Sequence, residues 1–211
     1  MMRSTMPFFL DQNTCQTCVC RSTVTRTQRY IRSASVDIIV IVDLIEELTN
    51  SVQRSSHGDC GCLQLPEYVQ TLLDTTDALF NIQDATWKKT VLGATPTPFA
   101  PVKPQVVPSP DGGSENKLRL PNITGFQHIV TVDRFILDPE ERKLVLQELL
   151  RGSLLSINRI VRGLHDLVIG SGQCDSFPDK EKKRMNAQST ILLERTYSAL
   201  ARYGDSSGSS L

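Results

Sequence analysis

Six cysteines, Cys15, Cys18, Cys20, Cys60, Cys62 and Cys174, are the residues of this 211-residue chain whose types and spacing could do chemistry. Five of them fall in two short runs, CQTCVC and HGDCGC. Zinc takes soft thiolates in a tetrahedron, and a C-x-x-C knuckle supplies two of the four from one short turn. Cys15 and Cys18 with Cys60 and Cys62 therefore form a candidate metal set, with Cys20 and His57 near enough in sequence to substitute. The second run is C-x-C, so zinc stands beside a plainer reading of thiols in a turn and a flexible arm. No secretory signal is evident at the start, which disfavours disulfides.

Little else assembles into a reactive set. The histidines are scattered at His57, His128 and His165, and His165 and Asp166 point to different sides of any helix that holds them. There is no P-loop, no H-E-x-x-H and no G-x-S-x-G. Gly170-Ser171-Gly172 lacks the third glycine of a nucleotide turn and reads as a helix stop. Pairs such as Glu46-Glu47 and Glu140-Glu141 fall on solvated or capping positions. No catalytic residue is assigned, and the chain is read as a binding protein, not an enzyme.

Charge and composition bound the partners. Lys plus Arg and Asp plus Glu are both 23, so the chain carries no net charge to attract a polyanion. The balance is uneven, because residues 1–35 hold five Arg against one Asp, whereas residues 36–93 hold nine acids against three bases. Residues 1–35 thus read as a basic, disordered arm; any nucleic-acid contact there would be electrostatic and salt-sensitive. The Arg- and Ser/Thr-rich arm also matches a mitochondrial transit composition. The most apolar stretch, Val36 to Leu48, is shorter than the ~20 residues of a bilayer span and carries four acids, so no membrane partner is expected.

The elements that must position the cysteines are helical. In SVDIIVIVDLIEELTNSVQ, Ile38, Ile41, Ile45, Leu48 and Val52 recur at helical spacing, with Ser35 placed as the N-cap. A second helix is predicted from Pro66 to about Ile82, carrying Val69, Leu72, Leu73 and Leu79 on one stripe and pairing with the first as a hairpin. ATPTPFAPVKPQVVPSPDGGSE then interrupts any helix or central strand, and marks residues 94–127 as a proline-rich linker. Beyond an extended run, Asp138-Pro139-Glu140-Glu141 has the composition of a reciprocal capping box. The helix it opens places Leu150, Leu154, Ile157, Val161 and Leu164 on one seam, suited to an internal core or to a protein partner, including a second copy of the chain. A last helix is predicted from about Asp179 to Tyr203, with Gly204 as its stop. The expected fold is mainly α: a helical hairpin in residues 36–93 and a second helical segment in residues 128–211, joined by the linker.

Two stretches add a resemblance. DCGCLQLPEYVQTLLDTTDALF resembles the cysteine-containing turn and leucine-rich helix of aflatoxin-regulatory-protein-like fungal transcription regulators. HIVTVDRFILDPEERKLVLQELLRGSLLSINRIVRGLHDLV is similar to that family's extended segment, acidic cap and long aliphatic helix. Together they cover about a third of the chain. The six-cysteine zinc cluster with which that family reads DNA is absent or degenerate here, since CQTCVCRSTVTR has no matching second half. The resemblance implies a nuclear regulator of secondary-metabolite genes, with DNA reached only through a separate or missing zinc cluster. A small zinc-binding module, or a mitochondrial helical protein with a cleaved arm, are the alternatives.

Overall fold

The computed structural model describes residues 18–33, 35–56, 60–91, 122–124, 131–132, 135–170 and 177–205. The fold is mainly helical, as the periodicity predicts. α1 spans Val19–Ile31, α2 Ile38–Ser56, α3 Pro66–Val91, α4 Pro139–Gly170 and α5 Asp179–Asp205. A short 3₁₀ turn, Gly61–Gln64, leads into α3.

Residues 1–35 do not form a disordered arm throughout. Residues 19–31 are α1, which buries Cys20, Val24 and Thr27 on one face and packs on α2 and α3. Its inward face is built from a thiol, one valine and a threonine, so no aliphatic stripe announces it. The Thr27 hydroxyl satisfies itself on the Thr23 carbonyl at 2.9 Å, which lets a polar residue sit in the interior. Ser35 is not a helix cap either: Ser35–Asp37 is strand β1, and the Asp37 carboxylate accepts the Ile39 N–H at 2.9 Å. The β-branched run that follows, Ile38 to Val42, is helical in spite of its strand propensity.

The apolar stripes are where the spacing puts them, but the predicted hairpin pairing is corrected: α2 packs chiefly on α1 and α4, and α3 on α1, α4 and α5. Ile38, Ile41, Ile45, Leu48 and Val52 of α2 are buried, as are Val69, Leu72, Leu73 and Leu79 of α3. α3 runs nine residues beyond the predicted Ile82, carried inward by Gln83, Thr86 and Trp87. At α4 the capping box is complete. Glu141 N–H donates to Asp138 Oδ1 at 2.8 Å, and Asp138 N–H donates back to Glu141 Oε2 at 2.9 Å. Gly204 lies within α5 and does not stop it.

The two helical segments are not separate bodies. A single buried cluster runs from Cys20 and Val24 through α2 and α3 to Leu150, Leu154, Ile157 and Tyr203. The segments 36–93 and 128–211 therefore share one core. Each segment has one apolar face, and those faces bury each other. Each fully buried Leu or Ile contributes roughly 1.5–3 kcal/mol before ordering entropy is subtracted. The Gln83 amide reaches across to the Leu150 carbonyl, fixing α3 against α4 inside the core. Of the predicted linker, residues 94–121 and 125–127 lie outside the described residues. Asn122–Thr124 forms β2, pairing parallel with β1 in the register Ser35–Asn122 to Asp37–Thr124. Thr131–Val132 and Phe135–Ile136 form an antiparallel pair, β3 and β4.

Side-chain pairs give the helix directions. α1 and α2 are antiparallel, since Arg26 meets Glu47 while the Tyr30 hydroxyl accepts the Asp37 N–H at 3.0 Å. α4 and α5 are antiparallel, joined by Asn158 to Thr196 at 2.9 Å and His165 to Ser189 at 3.1 Å. α3 and α5 run parallel. Gln188, Arg195 and Arg202, seven residues apart, meet Gln70, Asp77 and Asp84 at a constant separation of 118. Trp87 and Tyr203 stack near the end of that ladder, ring centroids 3.6 Å apart. Among the described residues, no helix is long and apolar enough to cross a membrane.

Candidate metal centre

The start of α1, the end of α2 and the 3₁₀ turn before α3 converge at one corner. Cys18 is the N-cap of α1 and Cys20 lies one residue into the helix. Cys60 is the N-cap of the 3₁₀ turn, and Cys62 lies inside it. Each pair is thus a C-x-C step across a helical start, which turns both sulfurs toward the same point. The four Sγ atoms all lie within 4.8 Å of one another. Cys20 and Cys62 are buried, Cys18 and Cys60 are half-buried, and all four are thiols.

The surroundings are hydroxyl-rich. Cys20 Sγ lies 3.5 Å from Cys60 Sγ. Ser55 Oγ donates to Cys20 Sγ at 3.0 Å and receives Cys60 Sγ at 3.5 Å. The Ser51 carbonyl accepts from Cys20 Sγ at 3.8 Å and from Ser55 Oγ at 3.0 Å. Tyr68, on the first turn of α3, is also buried here; its hydroxyl neighbours that of Ser51, and neither has a partner in good hydrogen-bond geometry.

These contacts split the thiols. Burial pushes the Cys60 thiol up, but the Ser55 hydroxyl and the Cys62 backbone amide outweigh it and bring the thiol down to about 7. Cys18 moves the other way, because burial outweighs the pull of the Cys20 backbone amide. Burial raises the Tyr68 hydroxyl first, and charge on Cys20 and Cys62 raises it further.

No protein family, curated protein or solved structure matches the chain. The cluster stands on its own geometry. Four thiols at this spacing could hold a metal ion. A tetrahedron of ~2.3 Å zinc–sulfur bonds spaces its sulfurs about 3.8 Å apart. The observed separations, 3.5 Å for one pair and none above 4.8 Å, bracket that value.

Of the predicted set, Cys18, Cys60 and Cys62 come together. Cys15 lies outside the described residues, as do His57 and Cys174. Among the described residues Cys20 completes the four, so the relevant spacing is C-x-C twice and not C-x-x-C. That repeated step was the available signal. Ser51 and Ser55, one turn apart on the buried face of α2, were not marked by any motif.

Of the two uses open to the α4 seam, the internal core is the one observed. Leu150, Leu154, Ile157 and Val161 are 0% exposed and Leu164 1%, all inside the bundle. The stripe is the core itself, because α2, α3 and α5 cover it. Exposed apolar residues on α4 lie elsewhere, at Leu144, Leu149, Leu155 and Ile169. Leu144 and Leu149 border a groove of about 650 Å³ shared with Val42 and Ile45 of α2.

Proposed function

We propose that this chain is a non-catalytic helical regulatory module, stapled by one structural zinc ion in Cys18, Cys20, Cys60 and Cys62, which serves a fungal transcription regulator through protein contacts. The convergence of four sulfurs from two distant runs carries the zinc reading. All four ligands come from protein, which leaves no position for substrate and suits a structural ion, not a catalytic one. When bound, the ion would supply cross-linking between the start of α1 and the start of α3. The residues prepare for it by placing both C-x-C steps at one corner, with Ser55 hydrogen-bonded at two of the sulfurs.

The resemblance of residues 59–80 and 128–168 to the aflatoxin-regulatory-protein-like family supports the transcriptional part, and with it a nuclear setting. Protein contacts must then use side chains outside the buried seam, Leu144 and Leu149 among them. The packing of α1 into the core weighs against the mitochondrial alternative, since cleavage of the whole basic segment would remove Cys20 and Val24 from the interior. Purified full chain should contain one zinc per molecule by mass spectrometry, and Cys20→Ser and Cys60→Ser should contain none. Tethered to an unrelated DNA-binding domain, the wild-type chain should change reporter expression more than a zinc-free variant. Metal-free wild type, with α1 packed as it is here, would end the zinc reading. An inert tether would end the transcriptional one.

A further inference from the structure

Three hydroxyls crowd the sulfur corner, and only one of them is satisfied. Ser55 Oγ lies between Cys20 at 3.0 Å and Cys60 at 3.5 Å. Ser51 is 1% exposed and Tyr68 6%; their hydroxyls neighbour each other, and neither has a partner in good hydrogen-bond geometry. Folded proteins leave few buried polar atoms poorly paired, so two at one corner call for a reason. The neutral thiols provide none, because a thiol sulfur is a weak acceptor.

We propose that Ser51, Ser55 and Tyr68 form a hydroxyl shell that hydrogen-bonds to the thiolates of the metal-loaded centre and sets its affinity for zinc. This inference rests on the zinc reading above. Loading removes the four thiol protons to solvent as the four sulfurs bond to the ion. Cys20 then no longer donates to the Ser51 carbonyl, nor Cys60 to Ser55 Oγ. The sulfurs become acceptors only, and four thiolates around one dication leave a net charge of minus two. Two of those sulfurs, on Cys20 and Cys62, belong to residues 6% and 0% exposed, where water is scarce. Donors have to come from the protein. Ser55 is in place, Ser51 lies one helical turn before it on the buried face of α2, and Tyr68 comes from the facing start of α3. The shell thus draws on both walls of the corner. Outer donors of this kind hold ligand orientation, and their loss typically weakens metal binding by about 10–100-fold. These are positioning residues, because they act on zinc through sulfur.

The test is zinc affinity of the full chain, measured by competition with a chromophoric chelator, for wild type, Ser55→Ala, Ser51→Ala and Tyr68→Phe. Ser55→Ala should weaken binding toward the upper end of that ~10–100-fold range, and the other two by about 10-fold. Cobalt(II) loading of the same proteins should shift the sulfur-to-metal charge-transfer bands, a signature that loss of packing alone does not move. Tyr68→Phe is the sharpest variant, because it keeps the ring and removes only a poorly paired hydroxyl. In the metal-free state it should be as stable as wild type or more so. Wild type that binds zinc while all three variants bind it equally tightly would overturn the shell and leave the zinc centre standing. Wild type that binds no zinc would overturn both.

Discussion

On the α3–α5 side, Gln188, Arg195 and Arg202 repeat every seven residues against Gln70, Asp77 and Asp84, over a core of Leu, Ile and Val side chains. At the α1 corner the buried contribution is Cys20, Val24 and Thr27. The first region needs nothing but its own side chains, since aliphatic burial drives it and the polar ladder fixes its register. α1 fully buries only one aliphatic side chain, with Tyr30 and Ile31 half-buried against the core. Its inward face carries sulfur where the other helices carry hydrocarbon, so under the proposed zinc reading that helix is the part whose packing answers to metal.

Breaking the aliphatic side should have the largest effect. Leu154→Ala opens a cavity at a fully buried position and should destabilise the whole bundle by about 2–5 kcal/mol in urea denaturation. A loss confined to α4, with the rest unfolding at the wild-type midpoint, would mean that the two halves are separate after all. The proposed zinc ion acts on the other side. At a free concentration 100 times its dissociation constant, a bound ion stabilises by about 2.7 kcal/mol, so the melting temperature should rise with added zinc and fall with chelator. A melting temperature indifferent to both would erase the distinction between the regions.

Smaller changes sharpen the contrast. Asp138→Ala removes one arm of the α4 capping box and should cost about 1 kcal/mol by the same denaturation assay, with zinc content unchanged. Gly163→Ala should stabilise by roughly 0.5–1 kcal/mol, because an added Cβ meets nothing within 4 Å on that exposed helical face. A destabilised Gly163→Ala would show that α4 is not a continuous helix there.

The same contrast explains what the sequence disclosed. Ile38 to Val52, Val69 to Leu79 and Leu150 to Leu164 could be read because aliphatic residues at helical spacing have one physical use, and Asp138 to Glu141 because a capping box is local. Their burial against one another was not readable, since the partner of an apolar stripe is a matter of tertiary packing. α1 stayed hidden because Cys, Val and Thr make a weak stripe on a helix with three exposed arginines. In the site, Cys18, Cys60 and Cys62 were visible by type. Cys20 stood there as a substitute behind a C-x-x-C spacing whose first member, Cys15, lies outside the described residues. Ser51, Ser55 and Tyr68 carry no motif, and only the fold brings them to the sulfurs.

Hydrogen exchange of the full chain, compared with and without a zinc chelator, measures directly whether metal holds one helix and hydrocarbon the others. Chelation should strip amide protection from residues 19–31 and 60–64 while leaving residues 139–170 protected. Equal protection of residues 19–31 in both states would contradict the account.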